Sequence, residues 1–271
     1  MTAGAALRMP DAKTVFARRA ARFGRLAESA GALAAYLLFL QRVSEAQHAA
    51  LESLAYGVDE LHRSWREPLS AMADHLSRDG TPQMLDALGR ALRAPDGEAD
   101  GWAEALARGE QDAVPVALIP LVGGALQVQR HAFASALGGE AARNAFVSAQ
   151  QSPLCPVCGA VPLASVIRTD GEVTGLRYLH CTLCGTEWNY VRITCAACGT
   201  TKGLAYYCEE GREYVKAEAC EPCRGYVKMF SMEHDPDVDP VADDVASIEL
   251  DVLMGESGLR RMAPNPLFAF G

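Results

Sequence analysis

Four Cys-x-x-Cys pairs dominate the chain's chemistry: Cys155/Cys158, Cys181/Cys184, Cys195/Cys198 and Cys220/Cys223. The intervals between successive pairs are 22, 10 and 21 residues, so one unit is written twice with a period of 40 residues from Cys155 to Cys195. Each pair can fold as a knuckle that aims two thiolates at one point, and two facing knuckles form a tetrahedral four-sulfur metal site. Two units imply two metal ions. Pairing neighbouring knuckles, Cys155/Cys158 with Cys181/Cys184 and Cys195/Cys198 with Cys220/Cys223, closes the shortest loops and leaves each repeat complete. Gly159, Gly185 and Gly199 follow three of the pairs, where a turning backbone favours φ > 0, whereas Arg224 holds that place in the fourth and marks it as the least regular knuckle.

The segments between knuckles must carry these sulfurs. From Val161 to His180 the pattern reads as two strands around Asp170-Gly171, and Leu204 to Val215 repeats it with Glu209-Glu210-Gly211 at the turn. Knuckle, hairpin, knuckle is the plan of a zinc ribbon or rubredoxin-like module. Such a module is too small to bury a core of its own, so bound metal supplies much of its stability. Spacing does not separate iron from zinc, because tetrahedral sulfur sites suit both. The ninth cysteine, Cys208, has no Cys-x-x-Cys partner and reads as a buried or half-buried small hydrophobe outside the ligand set, with a redox-active thiol or stand-in ligand as the alternative.

Residues 1–150 contain no cysteine and are rich in Ala, Leu, Arg and Glu. Phe16, Ala20, Phe23 and Ala27 share one helical face, as do Tyr36, Leu40, Val43, Ala50 and Leu54. Asp11 is placed to cap the first helix, and Gly57, Gly80-Thr81-Pro82, Ala94-Pro95-Asp96-Gly97 and Gly138-Gly139 punctuate the later ones. The basic run Arg8, Lys13, Arg18, Arg19, Arg22 and Arg25 reads as a solvated face, with docking to an acidic surface as the alternative. His48, His62, His75 and His131 form no metal-binding array.

The fold class expected is α+β: an all-α domain over 1–150, tandem rubredoxin-like or zinc-ribbon modules of four cysteines each over 151–194 and 195–232, and an acidic C-terminal helix with a tail over 233–271. That last helix, beginning near Pro240, places Val241, Val245, Ile248 and Val252 on one face.

Charge and composition exclude several classes. Residues 151–232 carry eight basic and eight acidic side chains, and residues 233–256 carry nine acids and no Lys or Arg, so no basic footprint for nucleic acid exists. The longest uncharged run, Ala113–Gln129, holds Pro115, Pro120 and Gly123-Gly124 and is shorter than a membrane span, so it reads as buried structure without membrane insertion. The stretch Met1–Leu26 lacks a signal-peptide pattern, which points to the cytoplasm and to reduced thiols rather than disulfides. No phosphate-binding, dinucleotide, zincin or nucleophile-elbow motif occurs. Closed four-cysteine sites also leave no coordination position for a substrate. A non-enzymatic, metal-binding interaction protein follows, with a redox-active rubredoxin-like electron-transfer or thiol-redox protein as the alternative. Tyr178, Trp188 and Tyr226 are the rings nominated to meet a partner.

Several of these stretches also carry a resemblance. Cys155-Pro156-Val157-Cys158-Gly159, Gly175-Leu176-Arg177-Tyr178-Leu179-His180-Cys181, Thr186-Glu187-Trp188, Val191-Arg192, Lys216-Ala217-Glu218 and Ala242-Asp243-Asp244-Val245-Ala246-Ser247 occur in order and resemble the formate dehydrogenase accessory protein family of the FdhE type. Asn265-Pro266-Leu267 resembles that family's ending, with Leu where Phe is expected. The resemblance implies a cytoplasmic protein that acts on the catalytic subunit of respiratory formate dehydrogenase before export. It also implies two rubredoxin-like modules with iron as the metal, one ion per four-cysteine site, held by the eight paired cysteines.

Overall fold

The computed structural model describes residues 6–11, 13–53, 64–78, 80–137, 152–170 and 174–268. Leu54, Gly57, His62, Gly138-Gly139 and Gly171, which figure in the sequence reading, lie outside them. The chain forms two compact units: Met1–Met9 with Gly139–Thr182 and Thr186–Ala263, and Pro10–Gly138 with Leu183–Gly185 and Pro264–Gly271.

The second of these units is helical. Helix α1 (Val15–Ala27) buries Phe16, Ala20, Phe23 and Ala27, the stripe set by their spacing. Arg19 and Arg22 of the basic run are buried as well, so that run is not one solvated face. Asp11 does not cap the helix, since it accepts hydrogen bonds from the Lys13 amide and the Thr14 hydroxyl one turn earlier. Helix α2 (Ala34–Ser53) buries Leu37, Leu40, Val43 and Ala50. Helix α3 (Arg66–Leu76) follows, and then α4 (Pro82–Arg93) starts where Thr81 Oγ1 accepts from the Met84 amide and Pro82 presets φ. Helix α5 (Asp96–Arg108) stops at Gly109, which takes a left-handed φ of 79°.

The uncharged run becomes most of α6 (Ile119–Ala136), buried at every position from Ile119 to Gln129. Its backbone is approached so closely that a Cβ on Gly123 would lie 2.0 Å from the Pro266 carbonyl oxygen. Gln47 Nε2 satisfies two acceptors of α6, the Gly124 carbonyl at 2.9 Å and Gln127 Oε1 at 3.0 Å. None of the helices among the described residues is long and apolar enough to cross a membrane.

The other unit is built on a single sheet. Strands β1 (Leu7–Arg8), β2 (Pro162–Arg168), β3 (Leu176–Cys181), β4 (Glu187–Asn189), β5 (Leu204–Tyr207), β6 (Val215–Cys220), β7 (Gly225–Ser231) and β8 (Arg260–Arg261) take the order β1-β4-β3-β2-β7-β6-β5, with β8 beside β7. The duplication is visible in this order, because β2-β3-β4 and β5-β6-β7 are each antiparallel with the strand between two knuckles in the middle. The tandem ribbons also share backbone hydrogen bonds. Strands β2 and β7 pair in parallel from Ala164↔Lys228 to Ile167↔Ser231, which fuses both ribbons into one sheet. The chain start joins it too, through Leu7↔Trp188 and Arg8↔Glu187, although the sequence suggests only helix there.

The C-terminal acidic segment forms two short helices, α7 (Pro240–Ala246) and α8 (Ile248–Glu256), rather than one. Ser247 separates them. Its hydroxyl donates to the Asp243 carbonyl at 2.7 Å, and its own carbonyl accepts from Lys228 Nζ at 3.0 Å. Val241 and Val245 are buried, but Val252 is 52% exposed, because the break rotates α8 out of register with α7. Asp243, Asp244 and Asp251 point inward instead, where Lys228 meets Asp251 at 2.6 Å and Asp244 at 3.5 Å and Arg261 bonds Asp244.

Candidate metal centres

Strand ends and tight turns bring the eight paired cysteines into two groups of four, Cys155/Cys158/Cys181/Cys184 and Cys195/Cys198/Cys220/Cys223, the pairing of neighbours that loop length favours. Within each group the sulfurs all lie within 4.8 Å of one another. Three separations are 3.4 Å for Cys158–Cys181, 3.8 Å for Cys195–Cys223 and 3.7 Å for Cys198–Cys220. A metal–sulfur bond near 2.3 Å in tetrahedral geometry gives a sulfur–sulfur edge of about 3.8 Å. The spacing therefore suits four thiolates around one ion. It is far too long for a disulfide, and no disulfide joins any of the nine cysteines.

The knuckles are built by hydrogen bonds that recur at equivalent positions. The Cys155 amide donates to the Ala160 carbonyl, Cys181 to Thr186 and Cys195 to Thr200, at 2.8, 2.9 and 2.8 Å. Gly159, Gly185 and Gly199 adopt φ of 76°, 72° and 72°, as the turn demands. Arg224 takes φ 56° in the fourth knuckle, so the irregular residue keeps the regular geometry and carries the strain of a side chain there.

Backbone amides also aim at sulfur. Ala197 N lies 3.4 Å from Cys195 Sγ, and the Thr200 amide is the main influence holding the Cys198 thiol below its ordinary pKa. Burial acts the other way on Cys195 and pushes Cys220 up to about 12. Four sulfurs this close cannot all be charged near neutral pH unless a cation shares their site, which is the condition that a resident metal meets. Each cluster could thus hold one metal ion.

The two clusters differ in cover. Cys155, Cys181 and Cys184 are buried and Cys158 is half-buried, whereas in the second group Cys198 is exposed. Cys208 belongs to neither group, and it is exposed rather than buried as a small hydrophobe would be, since it follows the exposed edge strand β5. Tyr178, Trp188 and Tyr226 are each 3% exposed. Tyr226 also donates its hydroxyl to Asp251 at 2.7 Å, and burial leaves all three rings almost no surface to give a partner. The exposed rings of the sheet are instead Tyr206 and Tyr207 on β5. His131, in the helical unit, is held by burial at a pKa of about 4, with its Nε2 3.1 Å from the Asp11 carbonyl oxygen.

Charged side chains that the spacing does not single out brace the strands leading to the sulfurs. Glu187 binds Arg168 and, at 3.0 Å, His180 Nδ1. Burial alone would raise its carboxyl, but Arg168 and His180 together hold it down at about 2. Arg177 and Glu218, both 2% exposed at their side chains, pair at 2.8 Å between β3 of the first repeat and β6 of the second. Burial raises the Glu218 carboxyl while Arg177 opposes that shift. Strict alternation places Arg177 on the outer face of its strand, yet β3 is buried on both faces from Arg177 onward. The one available signal is position, since Arg177 stands four residues before Cys181 as Lys216 stands four before Cys220.

Comparison with known proteins bears on the whole length. Family models described as "FdhE, N-terminal" match residues 5–64 and 57–145, "FdhE, central domain" matches 154–192, and "FdhE, C-terminal domain" matches 193–268. A protein of Stutzerimonas stutzeri called "Protein FdhE homolog" is 36% identical over 282 residues, spanning 96% of this chain and 91% of its own. Its namesake in Pseudomonas aeruginosa is 38% identical over 237 residues, covering 85% and 75% of the two chains. The crystal structure of the FdhE protein from Pseudomonas aeruginosa superposes with a TM-score of 0.86 at 34% identity, over 98% of this chain and 99% of that one.

Proposed function

Since the chain belongs to the FdhE family, we propose that it is a metal-binding accessory protein for respiratory formate dehydrogenase and acts by binding the catalytic subunit of that enzyme in the cytoplasm. The observation that carries this reading is the pair of tetrathiolate clusters inside a chain that matches the family from end to end. A cluster of four cysteines satisfies an ion completely and presents no open position, so its work is to hold shape rather than to turn over substrate. The protein is on this reading a scaffold and not an enzyme.

The eight paired cysteines are the ligands in this proposal, and the metal is iron, with zinc the alternative that the same sulfur geometry accepts. Bound metal ties the knuckles at both ends of each hairpin, fixing the strands against a client's surface. Metal analysis of the protein recovered by pull-down from formate-respiring cells tests the reading. The expected result is the catalytic subunit together with two ions per chain. Substituting Cys181→Ala and Cys184→Ala should remove one ion and client capture together. Capture that persists in a folded variant lacking that ion contradicts the scaffold role.

A further inference from the structure

Between the last strand of the first ribbon and the first knuckle of the second, the backbone passes through Ile193 at φ 59°. A β-branched residue in the left-handed region is a true outlier, kept only where its surroundings over-determine it. The side chain that reaches across this turn is Arg177. Arg177 Nη1 donates to the carbonyls on either side of Ile193, Val191 at 3.0 Å and Thr194 at 2.9 Å. Thr194 immediately precedes Cys195. The Arg177 Nη2 reaches Glu218 Oε1 at 2.8 Å, two residues before Cys220, while Nε is fixed by Ser165 Oγ at 2.8 Å. The guanidinium lies 5.4 Å from the Tyr190 ring centre, and its own backbone carbonyl accepts from the Tyr190 amide at 3.0 Å.

We propose that Arg177, a residue of the first ribbon, is the positioning residue of the second metal centre: it clamps the linker into the strained turn that delivers Cys195 and orients the strand that delivers Cys220. The planar fork of an arginine suits this task because it serves several fixed acceptors at once, which a lysine cannot do. The second centre then depends on a side chain that the first ribbon supplies, and that ribbon must be folded for the second to bind its ion well. The inference rests on the reading that both clusters hold metal.

Zinc-loaded full-length protein, titrated with a chelator and followed by cysteine alkylation and peptide mapping, reports each pair separately. Arg177→Met should expose Cys195/Cys198 and Cys220/Cys223 at a chelator concentration lower by roughly 5- to 150-fold, the span usual for coupling between two sites. The first cluster should keep its wild-type threshold. Because the single change strands a buried carboxylate, Arg177→Met with Glu218→Leu supplies a variant that folds without either charge. The second cluster should remain weak in it, since the linker clamp is still missing. Equal weakening of both clusters, or wild-type thresholds in the double variant, overturns the inference alone. A wild-type chain that takes up no zinc overturns the metal reading and the inference with it.

Discussion

The two ribbons start from the same plan and end in different environments. The first lies inside the sheet, where β2 and β3 are buried on both faces and have strands on either side. The second forms the sheet's edge, where β5 has three exposed residues out of four and Cys198 meets solvent. One duplicated motif has therefore produced a covered centre and an open one. The difference is topological, because the parallel β2–β7 pairing sets the first hairpin against the last strand of the second repeat and leaves β5, among the described residues, without a neighbouring strand on one side.

The largest test of this contrast removes the metals one at a time. A structural tetrathiolate site is worth roughly 10–16 kcal/mol apparent by analogy with zinc-finger peptides. Cys155→Ala with Cys158→Ala takes that from the sheet's centre and should abolish the hydrogen-exchange protection of β2, β3 and β7. Cys195→Ala with Cys198→Ala takes it from the edge, and protection should survive in β2 and β3. Equal loss of protection in both variants would erase the distinction.

A smaller effect separates the first ribbon's ion-pair support from its sulfurs. Glu187 is depressed to about 2 in the folded state, below the ordinary 4.5, with Arg168 and His180 overcoming the upward push of burial. The unfolded chain therefore takes up the proton first, so the contribution is whole above pH 4.5 and is lost as pH falls toward 2. That shift corresponds to about 3 kcal/mol. Denaturant unfolding of wild type and Glu187→Gln, both metal-loaded, should differ by about that much at pH 7. Equal stabilities of the two proteins at pH 7 would show that the carboxylate's charge is not the cause.

The sequence carried the local features well and the long-range ones poorly. Knuckles, hairpins and the stripe of Phe16, Ala20, Phe23 and Ala27 were legible because each is a spacing written within a few residues. The β2–β7 pairing joins residues more than sixty positions apart, and no periodicity announces it. Nine acids between Glu233 and Glu256 read as the polar side of one amphipathic helix packed by its valines, but Asp244 and Asp251 are buried against Lys228 and Arg261, which flank that stretch in sequence. A charge count cannot reveal a partner that only folding supplies. Tyr178, Trp188 and Tyr226 were legible as aromatics of a small module, yet their burial depends on the fused sheet.

The smallest predicted effect lies in the linker that distinguishes the ribbons. Ile193 is 61% exposed, so little packing is lost when it is replaced, and Asn tolerates its left-handed backbone. Ile193→Asn should raise stability by about 1 kcal/mol in denaturant unfolding of the metal-loaded protein. A loss of that size would mean that the side chain, and not the backbone, is what the linker needs.

Native mass spectrometry of the purified chain, paired with X-ray absorption at the bound metal's edge, addresses the central claim most directly. The account predicts two ions per molecule, each surrounded by four sulfurs at about 2.3 Å. Chains that carry no metal, or whose paired cysteines are joined as disulfides, would contradict it.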